Sequence, residues 1–130
     1  MTRVLIVDDH PFLRICLVDL ITASADLEVV GECADGTQVL PAVHELRPDV
    51  VLMDVRMPHQ SGLDAAAALQ HHQPHVKVVI LTSDTTRSSR ATARAHGVAD
   101  YLLKGADPHS VLDAIRRVVS SAGTLSCPAA

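Results

Sequence analysis

Aromatic residues are nearly missing from this chain: it has no tryptophan, and Phe12 and Tyr101 are its only phenylalanine and tyrosine. The apolar share of 48% is therefore almost wholly aliphatic, which makes the single tyrosine a residue of interest. A basic excess is also missing. The formal net charge is −4 and the pI is near 6.0, so the domain lacks the electrostatic footprint of a nucleic-acid binder, and any DNA function needs another domain. Cys16, Cys33 and Cys127 are odd in number and lack metal-ligand spacing. The first two fall in apolar runs, where free cysteine acts as a small hydrophobe, and a reducing compartment is expected. No apolar stretch is long enough to span a bilayer, and the apolar start at residues 4–7 is too short and too soon acidic for a signal peptide. A soluble, cytoplasmic protein with no membrane partner is expected. Repeats and low-complexity segments are not evident, and 130 residues suit one domain with a proper core.

What the chain has is a set of short apolar runs, each ending at a polar residue with chemistry. Asp8 and Asp9 come after residues 3–7, Asp54 after 50–53, Thr82 after 76–81 and Lys104 after 101–103. Runs of this length, aliphatic and β-branched, read as strands buried on both faces, as in parallel sheets. Between them lie longer amphipathic stretches punctuated by Gly, Pro and Asp. The first helix starts after Pro11 and buries Leu13, Cys16, Leu17, Leu20 and Ile21. A second strand at 27–33 precedes a helix at 36–46, which Pro48 stops. The third strand spans 49–53 and the third helix 62–71; the fourth strand spans 76–81 and the fourth helix 83–96, with Gly97 as its stop. A fifth strand at 99–103 leads to a helix opened by Asp107 and Pro108. Five β-α units joined by right-handed crossovers give a doubly wound, three-layer α/β sandwich. In the strand order 2-1-3-4-5 the switch point falls between strands one and three, where Asp8, Asp9 and Asp54 meet.

Three carboxylates on one rim are costly, since two unit charges about 4 Å apart repel by roughly 4 kcal/mol at an effective dielectric of about 20. A cation relieves that cost. Mg²⁺ takes oxygen ligands, keeps several waters and works beside phosphate oxygens, which suits direct binding by Asp9 and Asp54 and water-mediated binding by Asp8. Lys104 supplies a point charge and Thr82 a hydroxyl for phosphoryl oxygens. Asp54, alone at its strand end, is the best nucleophile, and its attack on phosphorus gives an acyl phosphate.

The motifs carry a specific resemblance. They are Val7-Asp8-Asp9-His10, Asp54-Val55-Arg56-Met57-Pro58 with Ser61-Gly62-Leu63-Asp64, Leu81-Thr82-Ser83, and Gly97-Val98-Ala99-Asp100-Tyr101-Leu102-Leu103-Lys104. With these the chain resembles, over essentially its whole length, the receiver domain of a two-component response regulator, a flavodoxin-like fold. The resemblance implies Asp54 as phosphoacceptor, Mg²⁺ on Asp8, Asp9, Asp54 and the Arg56 backbone carbonyl, phosphoryl contacts from Thr82 and Lys104, and Tyr101 as switch aromatic. It implies a sensor histidine kinase as the phosphohistidine donor. It also implies a phosphoacceptor that promotes its own phosphotransfer and dephosphorylation, not an enzyme. Lys104-Gly105-Ala106 before a helix, and the tail Ala122-Gly123-Thr124-Leu125-Ser126, are similar to the NarL/LuxR-type transcriptional regulators. Gly105 stands where many receivers have proline, so their cis-proline loop is not assumed. The expected division is a receiver at 1–121 and, at 122–130, the start of a linker to a C-terminal helix-turn-helix domain absent from this chain.

On phosphorylation Thr82 is expected to move toward the new charge, and the ring of Tyr101 to pass from exposed to buried. Homodimerisation through the switch face is a further expectation. The fourth helix has no Leu, Ile, Val, Met or aromatic residue, which gives it weak anchoring, and Arg87, Arg90 and Arg94 form a basic stripe that reads first as a solvated face. His71, His72 and His75 read as a solvated helix end, and His59 as surface loop. Two rivals are weighed. A haloacid-dehalogenase-like phosphatase has its nucleophile after the first strand in an Asp-x-Asp arrangement, unlike the adjacent pair here. A receiver that acts only as a phosphorylation-independent interaction module leaves every acidic and phosphate-binding position without a use, whereas a receiver that acts alone, without an output domain, stays open as an alternative.

Overall fold

The computed structural model describes residues 1–57, 59–83, 87–105 and 107–126, with side chains from position 89 onward in the fourth helix and up to position 120 in the last. Pro58, Ala106, residues 84–86 of the expected fourth helix and residues 127–130 of the expected linker lie outside the described residues. The strands are β1 (Thr2–Val7), β2 (Leu27–Cys33), β3 (Val50–Asp54), β4 (Lys77–Thr82) and β5 (Asp100–Leu103). The helices are α1 (Pro11–Thr22), α2 (Val39–Leu46), α3 (Gly62–His72), α4 (Arg87–Ala95) and α5 (Pro108–Ser126). All strand pairs are parallel and their order is β2-β1-β3-β4-β5, as the alternating pattern requires.

Strand alternation divides the core in two. Leu5, Val7, Val51, Met53, Val78 and Ile80 face α2, α3 and α4, where Val39, Val43, Ala65, Leu69 and Ala93 meet them. Val4, Ile6, Val50, Leu52, Val79 and Leu81 face α1 and α5, against Leu17, Ile21, Leu112 and Ile115. Both faces of β1 and β3 are covered, and each such aliphatic side chain gains about 1.5–3 kcal/mol on burial. Leu5, Ile6 and Leu52 are at most 1% exposed.

Local chemistry sets the helix ends. Gly36–Gln38 forms a 3-10 turn before α2, a refinement of the continuous helix expected there; the Asp35 carboxylate caps it by accepting from the Thr37 N–H. Pro41 sits in the first turn of α2, where its missing N–H leaves no bond unmade. At the other end Arg47 turns left-handed with φ 52 just before Pro48. Ser61 caps α3 by accepting from the Asp64 N–H.

Two expectations need correction. Cys16 is exposed, because the inward stripe of α1 centres on Leu17 and Ile21, with Leu13 and Leu20 partly covered. On the outward side Phe12 and Ile15 also stand exposed. Tyr101 is already buried, at 8% exposure. The last helix, α5, runs through position 126, over residues that include the helix formers Ala122 and Leu125.

Candidate phosphoacceptor site

The parallel sheet delivers its chemistry to one edge. Asp8 lies just past β1, Asp54 and Thr82 are the last residues of β3 and β4, and Lys104 comes directly after β5. The Lys104 N–H donates to the Thr82 carbonyl at 2.6 Å, which continues the β4–β5 ladder to the rim. Asp8, Asp54 and Thr82 are only 2–4% exposed and are the buried polar residues of the described chain. Such polarity at the end of an aliphatic core is sustained only by dense mutual contacts.

Those contacts surround Asp54. Lys104 Nζ donates to Asp54 Oδ2 at 2.9 Å and lies 3.5 Å from Asp8 Oδ2. The Arg56 N–H approaches Asp54 Oδ1 at 3.4 Å. Partial burial works against the lysine's charge, but the hydrogen bond to Asp54 and the charges of Asp54 and Asp8 outweigh it and hold the Lys104 pKa above its ordinary value. Asp8 Oδ1 accepts from the His10 N–H at 2.8 Å, and the His10 ring Nδ1 lies 3.0 Å from the same oxygen. Arg14 Nη1 donates to the Asp8 carbonyl at 2.7 Å, anchoring the turn into α1.

Asp8, Asp9, His10 and Asp54 each present a ligand atom, all within 4.8 Å of one another, a set able to hold a metal ion. Asp9 adds a direct sign of fit. Its Oδ1 is buried and accepts no hydrogen bond, although His10 Nδ1 lies 3.1 Å away. An acceptor-only carboxylate oxygen shut off from water is an energetic liability that a bound cation removes.

The loop after β3 is held by close backbone approaches. A Cβ at Gly62 would stand 2.0 Å from the Asp54 carbonyl oxygen, and one at Gly36 would stand 2.2 Å from that of Gln60. Glycine at both positions lets the loop pack between the end of β3 and the turn after β2. His59, with φ 68, is tied to that turn by Nδ1 at 2.5 Å from Asp35 Oδ2, so it is a bracing residue of the loop. The Asp35 carboxyl is held below the usual carboxylate range by the Thr37 N–H first, and by His59 and the Thr37 hydroxyl as well.

Beside the rim, Val55, Arg56, Leu63, Thr82, Ser89, Thr92 and Tyr101 line a cleft of about 210 Å³. Tyr101 closes it from the side of β5. The Arg90 guanidinium lies 5.6 Å from the centroid of its buried ring, a cation–π contact that covers the outer face. The expected exposed ring is thus corrected: Tyr101 belongs to the core cluster that includes Ile80 and Ala93, and α4 adds to its cover through Arg90. Gly105 comes after Lys104 with φ 87 and open space where a Cβ would point, a conformation closed to proline, and no described peptide bond is cis.

Asp8, Asp9, Asp54, Arg56, Thr82 and Lys104 thus come together, with Tyr101 across the cleft. Reading the sequence missed His10 as a member. Its position directly after the acidic pair was the available signal.

Comparison with known proteins agrees with the geometry. A family profile described as the response regulator receiver domain matches residues 4–116. The response regulator protein VraR of Staphylococcus aureus is 36% identical over 115 residues, which is 88% of this chain and 55% of VraR. The chain therefore spans about half the length of the curated relatives it matches. Among solved structures, the signal receiver domain of NarL from Mycobacterium tuberculosis superposes with a TM-score of 0.83 at 30% identity, covering 94% of this chain and 96% of that one. A LuxR-family DNA-binding response regulator from Staphylococcus aureus gives a TM-score of 0.85 at 27% identity, covering 92% and 99%.

Proposed function

The chain belongs to the receiver domain family of response regulators, and on that premise we propose that Asp54 accepts a phosphoryl group from a phosphohistidine on a sensor histidine kinase. The observation that carries the proposal is the buried carboxylate of Asp54, held by Lys104 at the edge where two further carboxylates converge. In the transfer an Asp54 carboxylate oxygen forms a bond to phosphorus while the phosphorus–nitrogen bond of the donor breaks, and the freed imidazole leaves with the electron pair. Lys104, already charged at Asp54, offers its ammonium to the incoming phosphoryl oxygens, and the Thr82 hydroxyl donates to another. Asp8, Asp9 and Asp54, with the Arg56 carbonyl, would hold Mg²⁺, which neutralises phosphoryl charge when bound. The orphaned oxygen of Asp9 supports that assignment. The same groups let the domain promote its own phosphorylation and the later loss of the phosphoryl group to water.

The phosphoryl group adds about −1.5 to −2 charge to the rim. Thr82 moves toward it, and the cleft between Thr82 and Tyr101 changes shape, which passes the signal to α4 and β5. Because Tyr101 starts buried under Arg90, the change begins with the cover on the ring. Residues 1–121 act as the receiver, and the segment from position 122 onward connects it to an output domain. The likeness to LuxR-family relatives supports transcription as the output, through a helix-turn-helix domain that binds DNA. Self-association in the phosphorylated state belongs to the same reading. Cytoplasmic location is supported by three cysteines without metal or pairing pattern. No described helix is long and apolar enough to cross a membrane.

The test is labelling with a small phosphodonor and Mg²⁺. One phosphoryl group per chain, lost on Mg²⁺ removal and in Asp54→Asn, is the expected outcome. Equal labelling of the variant contradicts the proposal.

A further inference from the structure

The acidic rim differs from an all-oxygen site in one respect: an imidazole nitrogen sits inside it. His10 Nδ1 lies 3.0 Å from Asp8 Oδ1, 3.1 Å from Asp9 Oδ1 and 3.8 Å from Asp54 Oδ2. For metal–ligand bonds of about 2.1 Å, neighbouring ligands of an octahedral ion stand about 3.0 Å apart and opposite ligands about 4.2 Å. The two shorter separations equal the edge of such a polyhedron, and the third lies between edge and diagonal. His10 is thus spaced from the carboxylates as a fellow ligand would be. The ring is well exposed, 63% by side chain, so its Nε2 edge is open to water while Nδ1 points into the rim. The chain holds it there, because the His10 N–H is pinned to Asp8 Oδ1 and His10 stands directly before the helix opened by Pro11.

Resting on the phosphoacceptor reading of the same rim, we infer that His10 adds a nitrogen ligand to Asp8, Asp9 and Asp54 and makes this site prefer Mn²⁺, Co²⁺ or Ni²⁺ over Mg²⁺. Imidazole suits first-row transition ions, whose affinities rise from Mn²⁺ toward Ni²⁺, and gives Mg²⁺ little. Binding takes the Nδ1 lone pair; the ring keeps a proton on the exposed Nε2, and any second proton goes to solvent. A histidine that served only as a counter-charge to the carboxylates would be displaced equally by every divalent ion. Removing it would leave the preference among ions unchanged.

The experiment uses the full chain carrying His71→Gln, His72→Gln and His75→Gln, which removes the other histidine cluster as a competing site. Calorimetric titration with Mg²⁺ and with Co²⁺, with and without His10→Ala, gives the ratio of affinities. The ratio of Co²⁺ to Mg²⁺ affinity is expected to fall about tenfold or more on losing His10, at least the effect of losing an outer-shell partner. Pulsed electron paramagnetic resonance of bound Mn²⁺ is expected to show coupling to one imidazole nitrogen in the parent and none in His10→Ala. That signal in the parent needs no variant to fold. An unchanged ratio, or Mn²⁺ without nitrogen coupling, overturns the inference. Asp54 labelling by acetyl phosphate with Mg²⁺ on the parent separates the two readings. Labelling with an unchanged ratio overturns the histidine ligand alone, and a His10-dependent ratio without labelling overturns the phosphoacceptor alone.

Discussion

Replacing Asp9 by asparagine should make the metal-free domain more stable. The four ligand atoms of the rim lie within 4.8 Å of one another, so Asp9 stands at most that far from Asp8 and from Asp54. Two charges at that separation repel by about 3.5 kcal/mol at an effective dielectric of about 20. Lys104 and His10 offset part of this, and Asp9 is 32% exposed by side chain, so solvent screens more. A net gain of about 1–2 kcal/mol for Asp9→Asn is the expected remainder. The amide also brings a donor toward the neighbouring carboxylates, and Oδ1 no longer carries buried charge. Metal should reverse the ranking. A ligand at about one hundred times its Kd stabilises the protein that binds it by about 2.7 kcal/mol, and the variant, lacking a ligand carboxylate, gains far less. Urea denaturation with chelator, and again with Mg²⁺ in excess, measures both halves. If Asp9→Asn is less stable than the parent in chelator, the carboxylates are not in net repulsion and the case for a cation built on them fails.

Gly62→Ala should cost about 3 kcal/mol by urea denaturation, since its Cβ would meet the Asp54 carbonyl oxygen at 2.0 Å; a neutral result would show that the loop after β3 yields. The raised pKa of Lys104 contributes stability that is complete below its unfolded-state pKa and is lost as pH rises through the folded value, so Lys104→Met should flatten the alkaline stability profile; an unchanged profile refutes the coupling. The lowered pKa of Asp35 acts at the other end, with stability present above its unfolded-state pKa and lost as pH falls through the folded one, and Asp35→Asn should blunt the acid limb. Hydrogen exchange should find α4 amides less protected than those of α1, because Ala93 is the single buried residue among the described side chains of α4; equal protection would contradict this.

Strand ends were the most legible part of the sequence. Aliphatic runs such as residues 4–7 and 50–53 are buried on both faces, so their period carries no ambiguity about sides, and the polar residue that stops each run must lie at the rim. That is why the pattern of runs alone puts Asp8, Asp54 and Lys104 on one edge. Helix faces were less legible. Leu13, Cys16, Leu17, Leu20 and Ile21 form a plausible stripe, yet α1 turns Cys16 outward, since a small polarizable side chain gives the period little weight. Tyr101 was misjudged for another reason. Part of its cover comes from Arg90, a residue whose charge suggested a solvated face, and a long arginine over a ring leaves no apolar pattern to read. His10 was missed because proximity across a turn depends on the backbone bend after β1, which hydropathy does not encode.

The most direct measurement of the central claim is chemical identification of the phosphorylated atom. Borohydride reduction of the phosphodonor-treated domain converts an acyl phosphate on aspartate to homoserine, and peptide mass spectrometry locates it. The account predicts homoserine at position 54, dependent on Mg²⁺ and absent from unphosphorylated controls. Homoserine at position 8 or 9, or a phosphoryl group that resists reduction and remains on a histidine, serine or threonine, would contradict it.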